Sequence, residues 1–208
     1  MQRLWFIIYN SIIVPGFWFL LQIGALLNGK IRRGLRGRRN LFVHLGHDVK
    51  LLRRGQRFWF HSSSLGEFEQ AKPIIAELRR RYDDIDIIVS FFSPSGYEHS
   101  KNYKLADLIT YLPFDSVANA RRFLDLIRPT IAIMVQYDLW PNHIWELRKR
   151  GVPIVIANAT LRKNSSRHYP ILKSFHQYVY NQITSILTVS QSDVDSFQNL
   201  GVTRPELH

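Results

Sequence analysis

Read from its N-terminus, the chain opens with a run from Leu4 to Leu27 that is almost uncharged and rich in Trp, Phe, Ile and Leu. About 20 apolar residues suffice for a helix to cross a bilayer. Asn10, Ser11, Pro15, Gly16, Gln22 and Gly24 interrupt the run, so a kinked anchor lying in the membrane surface fits as well as a straight crossing. From residue 57 onward, short apolar, β-rich runs alternate with helical ones. The pattern predicts strands over 57–61, 85–92, 108–114, 130–136, 153–158 and 185–190. It predicts helices over 67–82, 96–103, 117–127, 142–150, 169–181 and 192–200. Strands that are apolar throughout are those of a parallel sheet buried on both faces. Six strand–helix units in succession therefore predict an α/β fold, a Rossmann-like doubly wound parallel sheet. Gly151 and Gly201 stand where helix C-caps are expected, and prolines punctuate the units.

Charge changes this picture in one place. The formal net charge is +12, and much of the surplus follows the apolar run directly: Lys30, Arg32, Arg33, Arg36, Arg38, Arg39, Lys50, Arg53, Arg54 and Arg57, against the single acid Asp48. Three segments result: a hydrophobic anchor (1–28), a basic juxtamembrane segment (29–57) and an α/β domain (58–208). Basic residues beside an apolar helix place the remainder of the chain on the cytoplasmic side. They also suit anionic head groups or a phosphorylated lipid. No interleaved aromatics and no known binding motif accompany them, which speaks against nucleic acid. The chain has no cysteine, which excludes disulfides, thiolate metal sites and cysteine nucleophiles.

Ligands of such sheets bind beyond the carboxyl ends of the strands. The residues there are His61-Ser62-Ser63-Ser64-Leu65-Gly66-Glu67, then Ser93-Pro94-Ser95-Gly96, then Asp138-Leu139-Trp140-Pro141-Asn142, Asn158-Ala159-Thr160 and Ser190-Gln191-Ser192-Asp193. No P-loop, no dinucleotide fingerprint and no zincin motif occurs. Ser64 and Glu67 have capping-box spacing, so Glu67 can simply close its own helix. Equally, a carboxylate at a helix N-terminus stays ionised and can act as a general base toward a sugar hydroxyl. Gly66 would let a ligand approach the backbone, and Ser62 and Ser63 could orient hydroxyls or phosphates. Asp138 reads as a second carboxylate or as an Asx turn. Trp140 reads as a packing anchor or a sugar platform. His61, ending a buried strand, reads as a core histidine or a site residue.

In order and spacing, the apolar anchor, the 32–42 run with Gly34-Leu35-Arg36-Gly37-Arg38-Arg39, and His61-Ser-Ser-Ser-Leu-Gly-Glu67 resemble the 3-deoxy-D-manno-octulosonic acid (Kdo) transferases. Pro94-Ser95-Gly96, Asp138-Leu139-Trp140-Pro141-Asn142, Pro153 to Ala159 and the Gln191…Phe197…Leu200-Gly201 helix extend the resemblance over nearly the whole chain. It implies a two-domain GT-B glycosyltransferase of the bacterial inner membrane, facing the cytoplasm. Such an enzyme would transfer Kdo from CMP-Kdo to a lipid A precursor with inversion and without a metal or other cofactor. Glu67 matches the family's base. Asp138 stands where the family usually has Glu, and Thr160 where many members carry Arg, with Arg162 two residues on. By the same resemblance, His61, Ser62, Ser63, Ser64, Gly66, Ser95, Gly96, Trp140, Asn142, Asn158 and Thr160 are expected at the substrate. Arg32, Arg33, Arg36, Arg38 and Arg39 are expected at the acceptor phosphates or the anionic membrane surface. The donor would be held mostly by a C-terminal domain for which these six units leave no room. The chain thus reads as an N-terminal half, expected to transfer little or no sugar alone. A different GT-B glycosyltransferase and a non-catalytic module for anionic lipid are the alternatives.

Overall fold

The computed structural model describes residues 2–53, 55–136, 139–163 and 165–208. Seven parallel strands form one sheet in the order β3-β2-β1-β4-β5-β6-β7. They are β1 (Gln56–Ser62), β2 (Ile85–Phe91), β3 (Leu108–Tyr111), β4 (Ile131–Val135), β5 (Ile154–Ala159), β6 (Ser185–Thr188) and β7 (Glu206–Leu207). The first six are those the hydrophobic pattern predicts. The two-residue β7 is too short to leave a pattern. Central β1 pairs with β2 on one side (Phe58 beside Ile87) and with β4 on the other (Phe58 beside Ile131).

Alternate residues of each central strand point to opposite faces, and both faces are covered. Phe60, Ile87, Val89, Ile133 and Val135 pack under α5 (Leu65–Arg81) and α6 (Pro94–Ser100). Trp59, Ile88 and Met134 face the other way. They pack against α7 (Val117–Ile127), α8 (Pro141–Lys149), α9 (Pro170–Tyr180) and α10 (Gln191–Leu200). The order of winding reverses between β1 and β4, so the crevice beyond their carboxyl ends is the topological switch point.

Residues 29–57, expected as a basic juxtamembrane segment, carry secondary structure of their own among the described positions. They fold as α3 (Gly29–Gly37) and α4 (Leu41–Asp48), and Leu45 of α4 lies in the main core beside Phe123 and Leu124. Small residues bring α3 close: a Cβ at Gly34 would stand 3.0 Å from Pro94, and one at Gly37 2.5 Å from the Tyr111 ring.

Helix α1 (Gln2–Ile8), a π-helical turn (Tyr9–Ile13) and α2 (Val14–Leu27) run on as one helix, and Arg3–Leu27 is long and apolar enough to cross a membrane. The helix is docked at several points along its length. The Trp5 indole donates to Ser174 Oγ, the Tyr9 phenol to Asp115 Oδ2 at 2.7 Å, and Asn10 exchanges amide hydrogen bonds with Asn142. Phe17 stacks obliquely on Phe92 and Trp140. Its other face leaves Leu4, Ile7, Ile12, Phe19, Leu20 and Leu27 exposed. Arg32 folds back to bond the carbonyls of Ala25 and Leu26, closing the helix before the Asn28 turn.

Candidate active site

The loop after β1 folds around a reciprocal cap. Ser64 adopts extended backbone angles as N-cap of α5 and its Oγ accepts from the Glu67 N–H at 3.4 Å. The Glu67 carboxylate reaches back to accept the Ser63 N–H at 2.5 Å. Two backbone donors that no helical carbonyl can serve are thereby satisfied. Glu67 is only 7% exposed, yet it sits in the first turn of a 17-residue helix, where the peptide dipoles favour a negative charge. Next to it Gly66 faces open space: a Cβ there would meet no atom within 4 Å. The Ser63 carbonyl accepts from the Ser93 N–H, tying this loop to the one after β2, where Ser93 and Ser95 share a 2.7 Å hydrogen bond.

One turn beyond Glu67, Gln70 accepts a hydrogen bond from the Asn158 amide. Asn158 holds φ at 54° in a bulge of β5, and Gln136, just after β4, holds φ at 64°. Two left-handed non-glycine residues at neighbouring strand ends are uncommon, and such conformations concentrate at functional sites. Gln70 and Gln136 escaped the sequence reading, although Gln70 stands at helical i+3 spacing from Glu67. Thr160 is half-buried beside this bulge, and Leu161 is held by Asp193 Oδ1 at 2.8 Å.

Behind the rim lies a chain of buried hydrogen bonds. The Trp59 indole donates to Ser90 Oγ at 2.8 Å, Ser90 Oγ pairs with His61 Nδ1 at 2.9 Å, and the Trp140 indole donates to His61 Nε2 at 2.8 Å. Burial first, then the charges of His143 and Arg38, push the His61 imidazole down to about 3 against the opposing Ser90 bond. His61 is fully buried, and both ring nitrogens are engaged within the fold. Ser62 is fully buried and points away from solvent. Gly96 is likewise a packing residue, since a Cβ there would lie 2.6 Å from Phe91.

Asn142 is also used by the fold. Its N–H and that of His143, the His143 ring and the Tyr9 phenol all converge on the Asp115 carboxylate, and its amide bonds the Asp115 carbonyl. Among the arginines, Arg38 is half-buried. Its guanidinium bonds the carbonyls of Gly34, Phe92 and Leu112 and lies 4.6–5.1 Å from the ring centroids of Phe92, Tyr111 and Phe114. Burial pushes it down to about 10, still cationic at neutral pH. Arg38 and Arg32 are thus committed to backbone carbonyls, while Arg33, Arg36 and Arg39 are exposed. Asp138 and its neighbour Tyr137 lie outside the described residues. Trp140 is half-buried, bonded to His61 and packed on Phe92 at 4.5 Å between ring centroids.

Residues 36–208 match the sequence profile of the 3-deoxy-D-manno-octulosonic-acid transferases (kdotransferases). The chain belongs to this family. It is 30% identical over 154 residues to the Kdo transferase of Haemophilus influenzae, which covers 74% of this chain and 36% of the relative. The Kdo transferase of Rickettsia bellii is 23% identical over 207 residues, 98% of this chain and 47% of the relative. The chain thus spans between about a third and a half of the length of these relatives. Among solved structures, a UDP-N-acetylglucosamine 2-epimerase from Listeria monocytogenes superposes with a TM-score of 0.52 at 9% identity, over 74% of this chain and 45% of that one. At that identity the likeness establishes the fold, a Rossmann-like unit of GT-B type. It carries no statement about the Kdo transferase reaction.

Proposed function

We propose that this chain forms the acceptor side of an enzyme that transfers Kdo from CMP-Kdo to a lipid A precursor at the cytoplasmic face of the bacterial inner membrane. The observation that carries the reading is Glu67. It is a near-buried carboxylate in the first turn of a long helix, at the switch point of the sheet, beside the open backbone of Gly66.

In this reaction Glu67 takes the proton from a hydroxyl of the acceptor sugar as that oxygen attacks the anomeric carbon of Kdo. The new C–O bond forms as the bond to the CMP phosphate breaks, and CMP leaves with the electron pair from the opposite face. The configuration inverts. A phosphate leaving group needs no general acid, so one base suffices, unlike the carboxylate pair of glycoside hydrolases. The Ser63 N–H and the helix dipole favour the ionised carboxylate before the proton is taken. Gln70, Asn158 and Ser95 line the same rim and supply donors and acceptors for sugar hydroxyls. The multiple docking points of the N-terminal helix support a seat in the plane of the membrane, apolar face down.

The test is mass-spectrometric detection of Kdo added to detergent-dispersed lipid A precursor, using a protein that also carries the donor domain. Transfer that is lost on Glu67→Gln supports both reaction and base. Transfer that survives the substitution returns Glu67 to its capping role, and no transfer by a folded wild type points to another nucleotide-sugar.

A further inference from the structure

Three rim loops meet around one nitrogen. The loop after β4 reaches it through the Trp140 indole, which donates to His61 Nε2 at 2.8 Å. The loop after β1 reaches it through the Ser63 hydroxyl, 3.4 Å from the same Nε2. The loop after β2 closes the circuit. Its Phe92 ring packs on Trp140 at 4.5 Å between centroids, and its Ser93 N–H donates to the Ser63 carbonyl at 2.9 Å. An indole N–H can only donate, so Nε2 must present its lone pair. The neutral ring then carries its proton on Nδ1, facing Ser90 Oγ at 2.9 Å. Ser90 Oγ also accepts from the Trp59 indole at 2.8 Å, which fixes the ring from inside the sheet. One tautomer in one orientation serves every partner.

We infer that His61 is a positioning residue for Glu67: its Nε2 lone pair locks the loops after β1 and β4 to each other, and so sets where the Ser63 N–H holds the carboxylate. A fully buried imidazole costs free energy unless both nitrogens are partnered, and an apolar side chain at this place in the strand would carry no such demand. What the polar network supplies is a single arrangement of the groups it joins. Those groups include the cap of the base itself. The Ser63 N–H donates to the Glu67 carboxylate at 2.5 Å, and only the buried Ser62 separates Ser63 from the anchored ring. A carboxylate held from one backbone N–H moves with that N–H, so a loop displaced at His61 displaces the base. The role requires no contact with substrate. Its consequence for transfer rests on Glu67 as the base, the reading proposed above; the coupling of His61 to the Glu67 cap does not.

Two substitutions divide the ring. In His61→Gln the amide oxygen reaches the place of Nε2 and accepts from Trp140. In His61→Asn the shorter amide stays at the place of Nδ1, serving Ser90 and leaving the indole unbonded. Both lose the packing of the ring, so a merely structural role predicts similar damage from each. The first readout needs no sugar: NMR of the 208-residue chain in detergent micelles, following the Ser63 amide and the Trp140 indole, one of five tryptophans and assigned by Trp140→Phe. Both signals should stay near their wild-type positions in His61→Gln. In His61→Asn the indole should shift toward its solvent-exposed position, and the Ser63 amide should move upfield as its bond to Glu67 lengthens. The second readout is steady-state transfer by a protein that also carries the donor domain. Its kcat should fall on the order of 10²-fold in His61→Asn and only a few-fold in His61→Gln, with KM for the acceptor unchanged in both. Should His61→Asn fail to fold, Trp140→Phe breaks the same bond from the other side and should move the Ser63 amide and lower kcat in the same direction. A Ser63 amide unmoved by loss of the Nε2–indole bond, or equal losses of kcat in the glutamine and asparagine variants, would overturn the inference. Absence of transfer by the wild type would count against the proposed function alone, and the Ser63 amide would still decide the role of His61.

Discussion

Trp140 donates its indole N–H to His61 Nε2 at 2.8 Å, linking the loop after β4 to the end of β1 across the switch point of the sheet. His61 is fully buried, so removing the donor leaves Nε2 with only the long 3.4 Å approach of the Ser63 hydroxyl. Trp140→Phe keeps most of the ring packing and should still cost about 1–3 kcal/mol in urea unfolding.

His61 also sets a pH dependence. Its imidazole sits near 3 when folded and at the ordinary 6.5 when unfolded. As pH falls below 6.5 the unfolded chain takes up a proton that the folded one refuses, so stability is complete above that pH and is lost progressively toward 3. The limiting slope for one group is about 1.4 kcal/mol per pH unit. Half-buried His176, pushed down to about 4 by burial and then by Arg167, adds a smaller contribution of the same sign. Urea titrations between pH 7 and about 4.5 should show this fall, and His61→Gln should flatten it.

Two glycines of the same rim should respond oppositely to alanine. Gly96→Ala drives a methyl into Phe91 and should destabilise by about 1–3 kcal/mol. Gly66→Ala points its methyl into open space within a helix and should leave the melting temperature unchanged or raise it. Transfer activity should nevertheless suffer in Gly66→Ala if the acceptor approaches there.

Glu67→Gln separates the two roles of that side chain. Glutamine also serves at the third position of a capping box, so stability should change by less than about 1 kcal/mol. Loss of a general base should reduce transfer by about 10²- to 10⁴-fold. Parallel thermal melts and transfer assays read the two effects independently.

Asp115 is the hub that docks the N-terminal helix, accepting from Tyr9, Asn142 and His143 on both carboxylate oxygens. An asparagine side chain in its place would turn an NH₂ toward donors in either orientation. Asp115→Asn should therefore cost about 3 kcal/mol or more. It should also speed tryptic cleavage at Lys30, Arg32 and Arg33 as the helix loosens.

The periodicity of hydrophobic residues was enough to read six strands and their helices, because parallel strands buried on both faces are apolar along their whole length. Glu67 was legible for a local reason: its cap partner Ser64 is three residues away. Asp115 and Ser90 were not, because their partners Tyr9, His143, Trp59 and His61 come from other elements and no local motif marks them. Residues 29–57 read as a basic juxtamembrane segment because eight arginines and two lysines stand against a single acid. Yet Gly34, Gly37, Leu41 and Leu45 are what pack them onto the domain. His61 and Arg38 likewise take their partners from distant elements, Ser90 and Trp140 for the one and Phe92 and Leu112 for the other, and no local motif marks them.

The strand order also shapes how the chain is made. Phe58 of the central strand lies beside Ile87 on one edge and Ile131 on the other. A ribosome adding about 5–20 residues per second completes the first partner early and the second several seconds later. During that interval the edge of Phe58-Trp59-Phe60 that will receive β4 is an unpaired template of aromatic residues, the kind of edge that recruits other chains. Synthesis rate and chaperone supply, more than the stability of the finished fold, should then govern how much protein a cell recovers.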